Sequence, residues 1–314
     1  MKILITGTSG LLGLNLSLAA CSTHDVTGVD RSQLTGVPFH MVKVDLLIPG
    51  VVEAVIDQTR PDWLVHCAAL ANLEACEADP DTALRLNAHL PAELARVCAI
   101  RGIRMVHLST DAVFDGARDP ALGPYTETDT PHPISIYSDT KYKGEQGVQQ
   151  ANPDAIVARV NFYGFSLSGK RSLAEFFVNN LSQGKRVNGF TDVIFCPMHV
   201  HDLGDLLLKI LEKGLGGLYH VVGGEAMTKY EFGLAIARRF GFDETLITPA
   251  SVEQGELKAR RAHNLYLSVH KISTALGETI PSFSTGLERF YAQFQQGYPQ
   301  KIRTYTQVSP VFNV

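Results

Sequence analysis

The segment Lys2-Ile3-Leu4-Ile5-Thr6-Gly7-Thr8-Ser9-Gly10-Leu11-Leu12-Gly13 opens the chain. Lys2 to Thr6 reads as a buried strand and Leu11 to Cys21 as a helix. Between them Gly7, Gly10 and Gly13 form a GxxGxxG turn, a relative of the GxGxxG dinucleotide fingerprint. Glycines there permit the tight turn, let the backbone approach a pyrophosphate, and let the helix pack on the strand. A glycine triplet alone is weak evidence, because turns are rich in glycine. Its place between a strand and a helix gives it weight, and we take Gly7, Thr8, Ser9, Gly10, Leu11, Leu12 and Gly13 as a cofactor-binding turn.

Outward from that turn, strands and helices alternate. Asp25 to Asp30, Phe39 to Asp45, Trp63 to Ala69, Arg104 to Thr110 and Ala155 to Val160 read as further strands. Helical spacing recurs around Val51 to Ile56. It recurs from Asp79-Pro80, a cap and a first-turn proline, to Gly102, and again from Tyr137 to Ala151. Short links between such elements imply right-handed crossovers and an α/β fold, a Rossmann-type doubly wound parallel sheet. After Asn161 the alternation weakens. Leu173 to Gln183 and Tyr230 to Phe240 look like amphipathic helices, while His199 to Leu211 and Leu218 to Val222 return a helix and a strand to the sheet. We therefore expect a dinucleotide-binding domain over 1–161 with about 198–223. A smaller, sequence-interleaved substrate lobe is expected over 162–197 and 224–314.

The bulk numbers fit that picture. A chain of 314 residues, 45% hydrophobic and 19% charged, is an ordinary globular protein. Its net charge of −4 argues against a nucleic-acid binder. The five cysteines Cys21, Cys67, Cys76, Cys98 and Cys196 are odd in number and lack a CxxC pair, so neither a disulfide framework nor a zinc site is expected. Met1-Lys2 runs directly into the first strand, and no apolar run is long enough to span a bilayer. The expectation is a cytoplasmic protein without membrane partners.

Asp30, at the end of the second strand, stands where a ribose-binding carboxylate is expected, and Arg31 beside it suits a 2′-phosphate, so NADP or NAD both remain open. Asp45, Leu46, Ala68, Ala69 and Asn87 are further cofactor candidates after later strands. Tyr137 and Lys141 lie four residues apart, on one face of a helix. A free phenol has a pKa of about 10, and a neighbouring lysine cation together with the nicotinamide charge favours its phenolate. Thr110, at the end of the strand Leu108-Ser109-Thr110-Asp111, is placed to hold a carbonyl beside that phenol.

The glycine triplet, Ser109-Thr110-Asp111 ahead of Val113-Phe114-Asp115-Gly116, and the Tyr137/Lys141 pair together resemble an extended short-chain dehydrogenase/reductase. More narrowly, they resemble the dTDP-4-dehydrorhamnose reductase branch. Pro61 to Ala69, Arg159 to Gly164, Cys196 to Asp202 and Gly217 to Gly223 extend the likeness over most of the chain. The resemblance implies Tyr137 as proton donor, Lys141 as its activator and ribose ligand, and Thr110 as the carbonyl-orienting hydroxyl. It implies hydride transfer between nicotinamide and the C4 carbonyl of a nucleotide-linked sugar, with a homodimer as a family-level expectation. Ser109, Asp111, Asn161, Arg171 and Arg261 are the substrate-binding candidates. Two departures stand where the sugar is implied: Ala112 in place of the branch's tyrosine, and Asn161-Phe162 ahead of Tyr163-Gly164 in place of a tryptophan. The alternatives are a sugar-nucleotide epimerase or dehydratase, and a non-catalytic dinucleotide-binding regulatory subunit.

Weaker signals have bland readings. Lys170-Arg171, Lys185-Arg186 and Arg260-Arg261 suit a diphosphate, although surface basic pairs are ordinarily solvated. His199-Val200-His201-Asp202 reads as alternate residues of an extended segment near a helix cap, so no metal is expected. His66 and His107 read as satisfied core histidines.

Overall fold

The computed structural model describes residues 1–255 and 259–308. Residues 256–258 and 309–314 of the expected 224–314 lobe segment lie outside the described residues. Seven strands build the central sheet: β1 (Lys2–Thr6), β2 (Asp25–Asp30), β3 (His40–Lys43), β4 (Trp63–His66), β5 (Arg104–Thr110), β6 (Ile156–Val160) and β7 (Gly217–Val221). Their order is β7-β6-β5-β4-β1-β2-β3, and every neighbouring pair is parallel. The chain winds outward from β1 to β3, then crosses back and winds the other way from β4. That reversal opens a crevice at the carboxyl ends of β1 and β4.

The near-continuous apolar runs follow from burial on both faces. Ile3, Ile5, Val65 and Val106 face one layer, where helix α1 (Leu11–Ala20) and a later helix, Val200–Glu212, contribute Leu16, Leu203 and Leu207. Leu4, Leu64, Met105 and Val157 face the other, against Val52 and Ile56 of α2 (Val51–Thr59) and Leu94 and Val97 of α3 (Leu90–Arg101). Each such side chain removed from water contributes about 1.5–3 kcal/mol.

Two boundaries differ from the sequence expectation. β3 spans only His40–Lys43 and β4 only Trp63–His66, because the chain leaves the sheet at Cys67 to pass the glycine turn. Ala68 N would lie 2.6 Å from a Cβ on Gly7. The helix expected from Asp79 to Gly102 is interrupted by a π turn over Arg85–His89. Pro91 has no N–H to give Asn87 O, and Gly144 packs its Cα against that freed carbonyl.

The helix α4 (Ile136–Ala151) starts with a Ser135/Ser138 capping box. The second lobe gathers α5 (Leu173–Leu181), α7 (Lys229–Phe240) and α8 (Phe283–Gln295) around Phe177, Phe232, Phe283 and Phe290, with α6 (Val200–Glu212) packed on the sheet. Its strands come in two-stranded pieces of two to four residues, such as Val187–Phe190 with Ile247–Ala250. Pieces that short carry no readable period. Among the described residues no helix is long and apolar enough to cross a membrane.

Candidate active site

The crevice between the lobes is a cleft of about 390 Å³. One end is the glycine turn. Gly7 sits at φ +68°, a Cβ on Gly10 would come 3.0 Å from Gly7 O, and a Cβ on Gly13 would meet the same carbonyl. The turn is thus a backbone cradle that side chains would fill, opening onto the N-terminus of α1, where free N–H groups and the helix dipole favour an anion. This fits a dinucleotide. Thr8 points beneath the turn, its hydroxyl donating to Ile5 O at 2.9 Å. Asp45, Leu46, Ala68 and Ala69 line the wall, as does Arg31.

The other end holds Tyr137 and Lys141. The capping box sets Tyr137 in the first turn of α4 and Lys141 one turn later, and both line the cleft. Lys141 is 2% exposed and donates from Nζ to Leu108 O at 2.5 Å. Burial pulls its ammonium down to about 8, against the pull of Glu145. Burial pushes the Tyr137 phenol up to about 12, opposed by a hydrogen bond with Thr110. Lys141 is not among the groups that shift this phenol; burial, opposed by Thr110, holds Tyr137 protonated.

Behind the pair, His66 and His107 stack at 5.5 Å on neighbouring strands. Both stay neutral, burial holding His66 down to about 3 and His107 well below its ordinary value. They are not satisfied as expected. His66 Nδ1 meets Thr6 Oγ1 at 2.7 Å, but His66 Nε2 and both nitrogens of His107 have no partner among the described residues.

The family model described as the RmlD substrate binding domain matches residues 1–296. The chain belongs to the RmlD family. The "Probable low-salt glycan biosynthesis reductase Agl14" of Haloferax volcanii is 32% identical over 298 residues, covering 94% of this chain and 98% of that one. Methionine adenosyltransferase 2 subunit beta of Mus musculus is 31% identical, covering 91% and 86%. The crystal structure of dTDP-4-dehydrorhamnose reductase from Bacillus anthracis, in complex with NADP, superposes with a TM-score of 0.83 at 26% identity, covering 93% of this chain and 99% of that one.

Within this RmlD-family fold, several candidate side chains are already engaged. Asp30 accepts from Ser9 N at 2.9 Å and Ser9 Oγ at 2.8 Å, and its other oxygen accepts from Ser32 N at 3.1 Å. Its carboxylate braces the glycine turn, leaving Arg31 the exposed group of the pair. Asn87 is fully buried and does not reach the cleft. Its amide bonds Leu70 N and O and Thr140 Oγ1, holding the segment after β4.

Ser109 lines the cleft, but its hydroxyl donates to Glu145 Oε1 at 2.5 Å, so it braces α4 rather than offering a free group to a sugar. Asp111 and Asn161 pair at 2.5 Å beside Thr110, and burial raises the Asp111 carboxyl despite hydrogen bonds from Asn161 and Thr110. Arg261 is tied to Glu74 at 3.0 Å and is not among the cleft's lining residues. Arg186 rests on Thr245 O. Of the three basic pairs only Arg171 lines the cleft.

His199 is the N-cap residue of α6, whereas His201 and Asp202 already belong to its first turn rather than to an extended segment. His201 is held by Asn15 and Gln293, and no cluster suited to a metal occurs among the described residues. Residues that sequence reading missed include Cys67 and Leu90 on the cleft wall, whose signal was their position after β4 and inside the π-interrupted helix. Burial pushes the Cys67 thiol up to about 12, so it is no nucleophile.

The two shifts predict a pH profile. Lys141 discharges as pH rises through about 8, while Tyr137 keeps its proton to about 12. kcat/KM is therefore expected to be full below about pH 7 on this limb and to fall about tenfold per unit well above 8. A steady-state pH series checks this; a flat profile from 7 to 10 means that Lys141 stays charged.

Proposed function

We propose that this chain is an NAD(P)H-dependent reductase of a nucleotide-linked keto-sugar, dTDP-4-dehydrorhamnose or a close relative. The observation that carries the reading is one cleft lined by both the Gly7–Gly13 cradle and the Tyr137/Lys141 pair. The Haloferax and Bacillus proteins are named as reductases, and the second is described in complex with NADP.

The Gly7–Gly13 cradle would hold the dinucleotide, whose nicotinamide would supply the hydride for the carbonyl carbon. Thr110, next to Tyr137, would orient the carbonyl oxygen by turning its hydroxyl to it from Asp111 Oδ1, to which it donates at 3.1 Å. Tyr137 gives that oxygen its hydroxyl proton, completing the alcohol, and takes a proton back from water. Lys141 offsets the negative charge that appears on the phenol oxygen as the proton leaves. Asp111 and Asn161 bond each other beside Thr110 and are not among the cleft's lining residues, so neither is assigned to the sugar.

The test is to mix purified protein with NADPH or NADH and a panel of nucleoside-diphosphate-linked 4-keto sugars and follow nicotinamide absorbance. Loss matching the alcohol formed, mole for mole, supports the reductase. Sugar isomerised or dehydrated without net loss moves the reading to an epimerase or dehydratase. Tight binding without turnover of any sugar favours a regulatory subunit like the methionine adenosyltransferase relative.

A further inference from the structure

We propose that Arg171, contributed by the second lobe, grips the diphosphate of the dinucleotide across the cleft from the glycine turn, so that the cofactor ties the two lobes together. The proposal rests on the dinucleotide reading above and moves Arg171 from the substrate to the cofactor.

The loop carrying Arg171 is built to hold still. Glu175, buried at 1% exposure, accepts from the backbone N–H of Ser166 at 2.7 Å, of Arg171 at 2.9 Å and of Ser172 at 3.3 Å, and from the Ser166 hydroxyl at 2.7 Å. Ser172 Oγ donates to Gly164 O at 2.7 Å while also capping α5. Asn179 Nδ2 donates to Gly169 O at 2.7 Å. The backbone is thus fixed on both sides of Lys170-Arg171. The Arg171 guanidinium, by contrast, has neither an ion pair nor a hydrogen bond to any described residue, and it is exposed on the cleft wall.

The carboxylates of Asp30 and Asp45 also line the cleft, but neither forms an ion pair with Arg171. Asp30, the carboxylate nearest the glycine turn, is taken on both oxygens by Ser9 and Ser32, and Asp45 accepts from Leu47 N at 2.9 Å. A fork of donors on a fixed backbone, lining the same cleft as the glycine turn, matches a phosphate group.

Two diphosphates enter such a cleft, one on the dinucleotide and one on the sugar nucleotide. The loop's attachment decides between them. Phe165 O accepts from Asn15 Nδ2 at 2.9 Å, and Gly164 lies against the Leu11 side chain. Leu11 and Asn15 stand in the first two turns of α1, directly after the glycine turn. Arg171 therefore springs from a loop anchored on the start of α1, directly after the glycine turn.

The experiment measures Kd for NADPH and NADH on the full chain without substrate, by nicotinamide fluorescence, for wild type, Arg171→Met, Arg171→Lys and Arg31→Met. Arg171→Met is expected to raise both Kd values by the same factor, about ten- to a hundredfold, because both coenzymes carry the pyrophosphate. Arg171→Lys recovers part of the loss. Arg31→Met weakens NADPH alone. Unchanged Kd values, a loss confined to NADPH, or a rise only in KM for the sugar nucleotide each overturn the assignment. A wild type that binds neither coenzyme overturns the dinucleotide reading itself.

Discussion

Tyr137→Phe is expected to lower kcat about a hundred- to ten-thousandfold while leaving the Kd for NADPH within about twofold of wild type. The substitution removes one oxygen and keeps the ring that fills the wall of the cleft. The Ser135/Ser138 capping box that starts α4 does not involve this side chain, so the helix and Lys141 stay in place. What disappears is the protonated donor that burial holds up to about 12, beside the Thr110 hydroxyl. Thr110 cannot substitute, because an aliphatic hydroxyl is a far weaker acid than a phenol. Single-turnover oxidation of NADPH with the keto-sugar, beside a binding titration, checks both halves. Turnover surviving within tenfold would mean that the proton comes from elsewhere, with the buried Asp111 the first place to look. Loss of cofactor binding would mean that the phenol is a ligand rather than the acid.

Arg159→Met should cost about 3–5 kcal/mol of stability and lower Tm by on the order of 10 °C. Arg159 is 2% exposed, in β6, and its guanidinium forks onto Glu145 of α4, Nε to Oε1 at 3.0 Å and Nη2 to Oε2 at 2.8 Å. The same guanidinium lies 4.9 Å from the Phe114 ring centroid and 3.4 Å from His220 Nε2. Methionine fills the volume but leaves the Glu145 carboxylate buried, with Ser109 still donating to it. An uncompensated charge of that kind is far more damaging than absence of the pair. The double variant Arg159→Met with Glu145→Leu should therefore regain most of the loss. Calorimetry of the three proteins decides the matter. A single variant within about 2 °C of wild type would mean that Glu145 takes up a proton or that water reaches it. Glu145 stands one turn from Lys141 and opposes the downward pull of burial on its ammonium, so this pair also sets that lysine's electrostatic surroundings.

The parts of this protein that were legible in its sequence are those written over a few consecutive residues. The apolar runs of β1, β5 and β6 declare strands buried on both faces. The spacing of Gly7, Gly10 and Gly13 declares the cradle, and the four-residue step from Tyr137 to Lys141 puts phenol and ammonium on one side of α4. Strand–helix alternation with short links, under right-handed crossovers, then leaves few sheets other than the one observed.

Which polar side chains remain free was decided only by the tertiary structure. Asp30 is engaged by Ser9, 21 residues away. Ser109 is engaged by Glu145 across 36 residues and Arg261 by Glu74 across 187, while Arg171 is left unpaired in the cleft. A hydrogen bond or ion pair needs atoms within about 3 Å, and separations of that kind are set by how sheet and lobes pack. Local sequence therefore determined the backbone scaffold and the Tyr137/Lys141 pair, whereas long-range packing determined which charges stay available to a ligand.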